Sequence, residues 1–408
     1  MPAQKTNCGK LLILIMIIVI PLLSGCSKNQ QPQRKPVSNA AGQEIKIAVS
    51  LADMERDGNK IIKQTMSARQ GGRQDQQGQQ DQQGQQEQQT GRSGGEAVPV
   101  QAGGAQGGQQ GQQKVNITWL DAKNDPNQQE RDLEQLVNQN VKAVLLQVVD
   151  PESGPRLVRR LLQANIKVIA LEALPANCPV DGYISSDHAR TGELLANFTE
   201  AIARGSTTPA RVVLLQGDRN DQASREIASS LLEKLNNLPQ VKVVLVQDHP
   251  RGDPQQAAAT IERVLTSTNN QIDAILATDS RMAAAAAEVL KNRGLGQKIV
   301  TVGVGADQEA SRALVAGDHE AEVDLMPEMI AQYAYDALVG LASTGYWQYD
   351  RQVKNGDFDV PAKITPVRLI TREESYLLEQ RWGPLAGQQD QQGQNRQGQQ
   401  GRQDQNNQ

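Results

Sequence analysis

Three carboxylates stand at the ends of short apolar runs, where an ionised oxygen could accept hydrogen bonds from a polar ligand. Asp150 ends the run AVLLQVVD, Glu172 stands near the end of KVIALEA, and Asp279 ends AILATD. Two of these acids also have a structural explanation. Asp150 precedes Pro151 and could form a turn, while Asp279 could cap the helix that follows it. The acids therefore indicate either a polar binding site or the start of the next element.

Patterns typical of catalysis or metal binding are missing from the sequence. The three histidines, His188, His249 and His319, are scattered, and no HxxxH or CxxC motif occurs. No P-loop lysine motif or dinucleotide-binding fingerprint follows the first apolar run. We therefore predict a protein that is not an enzyme and that has no metal site and no cofactor.

Short runs rich in Val, Ile and Leu alternate with amphipathic stretches along most of the chain. The runs are 45–51, 115–122, 143–150 and 167–173, followed by 211–218, 241–247, 274–279 and 299–305. Apolar residues without strict alternation are typical of parallel strands buried on both faces. Strands that alternate with helices predict parallel sheets with helices on both sides. Because the runs form two sets, we predict an α/β fold with two doubly wound lobes.

Two of the helices should begin in the same way. Asp125 is followed by Pro126, and Asp253 is followed by Pro254. Aspartate is a favoured N-cap residue, and proline is well suited to the first helical position. Apolar residues at helical spacing follow each pair, so we predict helices from these points.

Polar, low-complexity segments interrupt the foldable part of the chain. The hexamer QDQQGQ occurs at 74, at 80 and at 389, and we predict disorder for 69–113 and for 385–408. Only one strand and one helix precede the first segment, which is too little for a domain, so the segment is predicted to be an insertion within the first lobe. It would join a helix to the next strand at the amino ends of the strands, away from the ligand side.

The first residues have the pattern of an export signal. Two lysines precede the apolar run 11–23, and small residues follow it. The sequence LSGC, which ends at Cys26, resembles the lipobox of bacterial lipoproteins, in which the cysteine receives lipid. We expect 1–25 to be a signal peptide and 26–43 to tether an extracytoplasmic protein to the membrane. A single spanning helix with an incidental cysteine is the alternative.

Charge and cysteine content exclude further classes. The net charge of −4 is close to neutral for 408 residues, and no long basic stripe is present, which argues against nucleic acid binding. Of the three cysteines, Cys8 would leave with the signal peptide and Cys26 would carry lipid, so Cys178 has no partner. No disulfide is expected.

Several longer motifs follow one another in an order typical of one family. They are DMERD (53–57), DAKNDP (121–126), YISSDHARTGELLA (183–196), LLQGDRNDQASRE (214–226), ILATDSRMAAAA (275–286) and VTVGVGADQEASRALVAGDHEAEVDLMP (300–327). Together they resemble the ribose-binding and xylose-binding solute receptors of bacterial ABC importers, which are type I periplasmic binding proteins. The resemblance extends over 44–372 apart from the insertion.

The family implies two lobes joined by a three-segment hinge that close over a ligand. By resemblance the chain would cross between the lobes near Ser186, Leu325 and Ala362. The N-terminal lobe would contain 44–186 with 326–362, and the C-terminal lobe 187–325 with 363–376.

The resemblance also implies a function. The protein would be a monomeric receptor that hands a small, carbohydrate-like solute to an ABC permease. Alternatives are a co-receptor for a membrane sensor kinase, or a degenerate member that has lost ligand binding. The same fold serves as the effector domain of sugar-responsive repressors, but here a lipobox, and no helix-turn-helix, precedes the first strand.

Some residues correspond to ligand contacts of the family. Arg225 aligns with a ligand arginine, and Asp53 and Arg56 belong to the xylose-type motif DMERD. A salt bridge at the rim is the alternative for Arg225, and a solvated charge at a helix start is the alternative for Arg56. Asp187 could bind the ligand from the hinge or cap the helix from His188.

The other expected contacts lie at strand ends. Glu172 and Asp279 stand where the family carries acids, and Asp150 could be a carboxylate of the cleft. The sequence departs from the family at Ala173, Gly305 and Leu325, where sugar receptors carry Arg, Asp and Gln. Aromatic residues make up 3% of the chain, so we expect no aromatic platform for a sugar ring.

Overall fold

The computed structural model describes residues 44–70 and 114–385. The predicted signal peptide, the predicted lipidation site Cys26, the predicted tether, and most of the Gln-rich insertion and of the tail lie outside the described residues. Within the described part, no helix has the length and apolar character needed to cross a membrane.

The first sheet has seven strands and draws two of them from a late segment of the chain. In spatial order they are β11 (Arg351–Asn355), β12 (Phe358–Thr365), β5 (Gly182–Ser186), β4 (Lys167–Leu171), β3 (Ala143–Leu146), β1 (Ile45–Leu51) and β2 (Val115–Asp121). All neighbouring pairs are parallel except β11 with β12.

The second sheet has six strands. In spatial order they are β13 (Arg368–Thr371), β10 (Ala321–Asp324), β9 (Val300–Val304), β8 (Ala274–Ala277), β6 (Ala210–Gln216) and β7 (Val241–Asp248). Only β10 and β13 are antiparallel. The prediction of two doubly wound lobes is confirmed, with an antiparallel strand at one edge of each sheet.

Helices connect the strands and cover both sheets. They are α1 (57–70), α2 (Pro126–Leu136), α3 (Gly154–Gln163), α4 (His188–Ala203), α5 (Gln222–Leu235), α6 (Pro254–Ser267), α7 (Ser280–Asn292), α8 (Gln308–Ala316), α9 (Pro327–Thr344) and α10 (Tyr376–Trp382). The side chains of Asp125 and Asp253 accept backbone hydrogen bonds at the starts of α2 and α6, as the sequence predicts.

Each sheet lies between apolar clusters. In the first lobe, Leu338 of α9 shares a buried cluster with Ile47 of β1, and Leu157 of α3 belongs to the cluster on the other face. In the second lobe, α6 and α7 contribute to one cluster and α4 and α5 to the other. The two lobes therefore have separate cores, which allows them to be positioned by the segments between them.

The apolar pattern does not predict β5 and β10, because both strands bury polar side chains. Ser185 and Ser186 are buried in β5, and Glu322 and Asp324 are buried in β10. Both strands end where the chain passes from one lobe to the other. Their polar groups hydrogen-bond to neighbouring elements at this boundary instead of filling an apolar core.

The chain passes between the lobes after β5, after β10 and after β12. The sequence predicts the last passage near Ala362. In the structure it lies a few residues later, because β12 stays paired with β5 up to Thr365, which faces Ser186. The second lobe also extends past 376. Leu385, expected at the start of the tail, is 6% exposed and packs in a small cluster with Leu378 of α10.

Helix α1 includes residues 69 and 70, which the sequence assigned to the insertion. Arg69 forms an ion pair with Asp336 of α9 at 2.6 Å, and the Gln70 side chain donates to the Val115 carbonyl oxygen at 3.0 Å. These contacts extend the helix because they hold both side chains against neighbouring elements. Val115 begins β2, so the described end of α1 lies at the amino edge of the sheet.

Gly192 allows α4 and α5 to pack closely. A Cβ atom added there would lie 2.5 Å from the Ile227 carbonyl oxygen and 2.7 Å from the Leu231 amide nitrogen. Because both are backbone atoms of α5, the helices would have to separate. We expect Gly192→Ala to lower the free energy of unfolding by about 2 kcal/mol, as measured by chemical denaturation.

Gly58→Ala in α1 is the matched control for this substitution. No atom lies within 4 Å of a Cβ added at Gly58, and alanine is favoured over glycine in helices by up to about 1 kcal/mol. This variant should unfold at the same or a higher denaturant concentration than the wild type. Equal stability of the two variants would show that the close helix approach does not depend on Gly192.

Candidate functional site

The strands of both lobes end at a cavity of about 420 Å³. Its lining residues follow β1, β3 and β4 in the first lobe and β6, β8 and β9 in the second. Ligands of α/β proteins bind outside the carboxyl ends of parallel strands, and small-molecule sites span roughly 300–1,000 Å³. The cavity therefore has the position and the size of a binding site.

Five of the seven residues predicted to contact a ligand line this cavity. They are Asp53, Arg56, Asp150, Glu172 and Asp279. The other two, Arg225 and Asp187, are outside the lining.

Arg56 and Asp279 join the two lobes at the cavity. Arg56 follows β1 in the first lobe, and its Nη2 lies 2.5 Å from Oδ2 of Asp279, which follows β8 in the second lobe. Asp279 also accepts hydrogen bonds from the backbone N–H and the Nε of Arg281, at 3.0 and 3.3 Å. Asp279 is thus both the cap of α7 and part of the cavity wall.

Two further hydrogen bonds cross between the lobes beside the cavity. The backbone N–H of Gln308 donates to Oδ2 of Asp57 at 2.9 Å, and the backbone N–H of Leu174 donates to Oε1 of Gln222 at 2.7 Å. Together with the Arg56–Asp279 ion pair, they hold the lobes against each other at the cavity.

Glu172 lines the cavity, but its carboxylate is bonded to the hinge. It accepts hydrogen bonds from the hydroxyls of Ser185 and Ser186, at 3.1 and 3.0 Å, and lies 2.8 Å from Nε2 of His188. The other ring nitrogen of His188 lies 2.8 Å from Glu226. The carboxylate therefore ties the end of β4 to the start of α4.

The charges in this cluster stabilise one another. Burial alone would lower the pKa of His188, but its hydrogen bonds to Glu172 and Glu226 outweigh this and raise the pKa to about 10. Burial would raise the pKa of Glu172, but the hydrogen bonds from His188 and Ser186 outweigh it and lower the pKa. His188 is therefore a cation, and Glu172 an anion, at neutral pH.

Asp150 and Asp53 make local hydrogen bonds at the cavity wall. The Asp150 carboxylate accepts from the backbone N–H groups of Glu152 and Ser153, at 3.2 and 3.0 Å, which is the turn-forming alternative. The Asp53 carboxylate accepts from Glu55 N–H at 2.9 Å and from Asn124 Nδ2 at 2.8 Å. Both carboxylates retain the capacity to accept further bonds.

Arg225 and Asp187 have structural roles in the described residues. Arg225 is exposed, and its Nη1 donates to the carbonyl oxygens of Arg219 and Asn220, at 3.2 and 2.9 Å. Its guanidinium points to the loop before α5, because these carbonyl oxygens accept its hydrogen bonds. Asp187 caps α4 by accepting from the Arg190 N–H at 2.9 Å. Neither residue lines the cavity, and their contact with a ligand stays a prediction.

Amide side chains that the sequence pattern does not predict shape the first lobe's side of the cavity. Gln147 Oε1 accepts from the backbone N–H of Ala52 at 3.1 Å and from Asn59 Nδ2 at 2.9 Å. Asn124 also lines the cavity. The one signal for Gln147 was a polar residue inside the apolar run AVLLQVVD.

Asp307, two residues after Gly305, lines the cavity and was not among the predicted contacts. It follows β9 and is half-buried. Burial, and next the negative charge of Asp279, raise the pKa of Asp307 to about 7. No hydrogen bond to its carboxylate is found among residues 44–70 and 114–385. Its carboxylate is therefore available to a ligand.

The lining has apolar side chains but no ring to stack on. Ile62, Leu171, Ile227, Val304 and Ile330 contribute apolar surface. No Phe, Tyr or Trp lines the cavity in the described part of the chain. No cluster of His, Cys, Asp and Glu within the described ranges could hold a metal ion. The arrangement suits a small ligand bound through hydrogen bonds and charge.

Comparison with known proteins gives matches to one family. The model of the periplasmic binding protein domain matches residues 97–345. The D-xylose-binding periplasmic protein of Escherichia coli (strain K12) is 27% identical over 240 residues, which cover 58% of this chain and 71% of the relative. The ribose import binding protein RbsB of Bacillus subtilis (strain 168) is 25% identical over 224 residues, covering 55% and 70%.

Solved structures show the same fold. The Caulobacter myo-inositol binding protein bound to myo-inositol aligns with a TM-score of 0.62 and 19% sequence identity. The alignment covers 82% of this chain and 95% of that protein. At this identity the likeness concerns the arrangement of the two lobes.

Proposed function

The chain belongs to the periplasmic binding protein family, of the type I, sugar-binding class, and from this premise we propose that it is an extracytoplasmic receptor that closes its lobes over a small carbohydrate or polyol. The prediction of a binding protein instead of an enzyme is confirmed by this family membership. The receptor would deliver its solute to an ABC importer and remain attached to the membrane through lipid on Cys26.

The cavity between the lobes is the observation that supports this function most directly. Polar side chains from both lobes reach it, and Arg56 and Asp279 pair across it at 2.5 Å. A ligand that bonds to groups of both lobes stabilises the closed arrangement through contacts that the open arrangement cannot make. Closure is therefore coupled to binding.

The residues that we assign to ligand contact are predicted contacts that also line the cavity. Asp53, Arg56 and Asp279 would bind hydroxyl groups, because ionised acids and guanidinium groups form charge-assisted hydrogen bonds with them. Asp150 would supply a further acceptor. Glu172 would act mainly through the hinge, since His188 and Ser186 occupy its carboxylate.

Arg56→Ala is expected to weaken solute binding by about 10-fold to 100-fold, the size of one or two charge-assisted hydrogen bonds. Thermal unfolding against pentoses, hexoses and polyols should first identify a solute. A solute at about 100 times its Kd adds roughly 2.7 kcal/mol of stability. Isothermal titration calorimetry would then compare the variant with the wild type.

Arg225→Ala is the matched control, because this arginine is exposed and outside the cavity. It should bind the solute as the wild type does. Absence of any stabilising solute, in protein that unfolds cooperatively, would contradict the receptor function. A loss of solute binding in Arg225→Ala, with unchanged binding in Arg56→Ala, would contradict the assignment of the site.

A further inference from the structure

The cavity is lined by more carboxylates than cations. Seven carboxylates line it, namely Asp53, Asp150, Glu172, Asp218, Asp221, Asp279 and Asp307. Two arginines, Arg56 and Arg251, are the cations in the same lining. The wall therefore carries an excess of negative charge when its acids are ionised.

Among the described residues, cationic side chains form ion pairs with two of these carboxylates. Asp279 pairs with Arg56 at 2.5 Å and with Arg281 at 3.3 Å. Glu172 pairs with the buried His188 at 2.8 Å. The positive charge of Arg56 is therefore already paired with Asp279.

Four of the remaining five carboxylates are held by neutral donors. Asp53 accepts from Asn124, Asp218 accepts from the Asn220 N–H at 2.9 Å, and Asp221 caps α5 by accepting from the Ser224 N–H at 2.8 Å. Asp150 accepts from the two backbone N–H groups of its turn. Neutral donors solvate these charges but do not cancel them.

Asp307 differs from the other acids. It is half-buried, it lies near Asp279, and its carboxylate receives no hydrogen bond within the described ranges. Burial and the negative charge of Asp279 outweigh the attraction of Arg56 and raise the pKa of Asp307 to about 7, and the carboxylate has no hydrogen-bonded partner among the described residues. A donor with positive charge, brought by the ligand, would supply that partner.

Resting on the proposed receptor function, we infer that the solute carries an ammonium group, as an amino sugar or aminocyclitol does, and that Asp307 binds this group. An organic cation fits better than a metal ion, because no cluster of ligating side chains within 44–70 and 114–385 could hold a metal. Acceptors such as Asp53 and Asp150 remain for the hydroxyl groups of the same molecule.

Matched pairs of compounds that differ only in an amine or a hydroxyl test this inference. Suitable pairs are glucosamine with glucose, galactosamine with galactose, and an inosamine with the corresponding inositol. Titration calorimetry of the purified protein at pH 7 should give at least about tenfold tighter binding for the amine of one pair, the size of one charge-assisted hydrogen bond. N-acetylation of that amine should abolish the advantage.

Asp307→Asn should remove the preference for the amine, because it keeps the shape of the side chain and removes its charge. Asp359→Asn is the control, since this exposed residue of β12 pairs with Lys354 away from the cavity. It should bind both compounds as the wild type does.

The outcomes separate the inference from the proposed function. Hydroxyl compounds that bind as tightly as their amines, or more tightly, would overturn the inference and support the receptor function. No binding of any pair by folded protein would count against both. The last outcome is stabilisation of the protein by Mg²⁺ or Ca²⁺ without any organic solute. If this stabilisation were lost in Asp307→Asn, the acidic wall would be a metal site, and the inference would be overturned.

Discussion

Replacing His188 with Gln is expected to lower the free energy of unfolding by about 3 kcal/mol at pH 7, the cost of leaving a buried carboxylate without its cation. The His188 side chain is 3% exposed and bridges Glu172 and Glu226, each at 2.8 Å. Glutamine keeps a polar side chain but removes the charge. The melting temperature should fall by about 10 °C, and chemical denaturation would give the free energy.

The effect should depend on pH in a defined direction. The pKa of His188 is raised from 6.5 to about 10 in the folded protein. A raised pKa contributes stability that is fully present below the unfolded value and is lost as the pH rises through the folded value. The difference between wild type and His188→Gln should therefore be largest near pH 6.5 and shrink towards pH 10.

His249→Gln is the matched control for this experiment. His249 is also buried, but its ring bonds to the Thr260 hydroxyl and the Gln216 carbonyl oxygen, which are neutral. Burial lowers the pKa of His249, so its substitution should not produce a difference that fades between pH 6.5 and 10. A constant difference for His188→Gln over this interval would show that His188 is not the cation of the hinge.

Asp324→Asn is also expected to cost about 3 kcal/mol of unfolding free energy, because it removes the shared anion of two arginines. The Asp324 side chain is fully buried and lies 2.9 Å from Arg381 and 2.9 Å from Arg368. It also accepts from the Met326 N–H at 3.0 Å. Arg381, which is 5% exposed, further pairs with Glu328 of α9.

The position of Asp324 adds a functional consequence to the loss of stability. The residue ends β10, directly before the chain passes to α9 of the first lobe, and Leu325 after it lines the cavity. Met326 in this passage has a φ of 54°, a conformation that needs support from its surroundings. We therefore expect weaker solute binding as well, measured under conditions in which the variant is folded.

Asp336→Asn is the control for Asp324→Asn, because it removes the same charge from an exposed ion pair instead of a buried one. Asp336 pairs with Arg69 on the surface, and its side chain is 52% exposed. Exposed pairs contribute about 1 kcal/mol or less, so this variant should unfold close to the wild type. Similar losses for both variants would mean that the network around Asp324 has no special role in the hinge.

The fold could be predicted from sequence to a large extent because its main signals are local. Apolar runs such as 45–51 and 211–218 become β1 and β6, and the Asp-Pro pairs at 125 and 253 start α2 and α6. Burial on both faces of a strand needs such a run whatever the distant partner is. The apolar pattern does not predict the strands β5 and β10, because they bury the polar residues Ser186, Glu322 and Asp324, which contact distant parts of the chain.

The candidate site could be predicted only in part. A position after a strand places Asp53, Arg56, Asp150, Glu172 and Asp279 at the cavity, since the carboxyl ends of parallel strands share one edge. Position within a motif does not tell where a long side chain ends. Arg225 donates to the carbonyl oxygens of its own loop, while Asp307, two residues after Gly305, lines the cavity.

The sequence by itself determined the two-lobed α/β architecture and the edge at which polar residues collect, because hydrophobic runs and helix caps act over a few residues. Only the tertiary structure decided which charges meet. Arg56 and Asp279 are 223 positions apart, and Glu172 meets His188 across the hinge. Such pairs depend on how two separately folded lobes face each other, and that relation is not encoded in any local pattern.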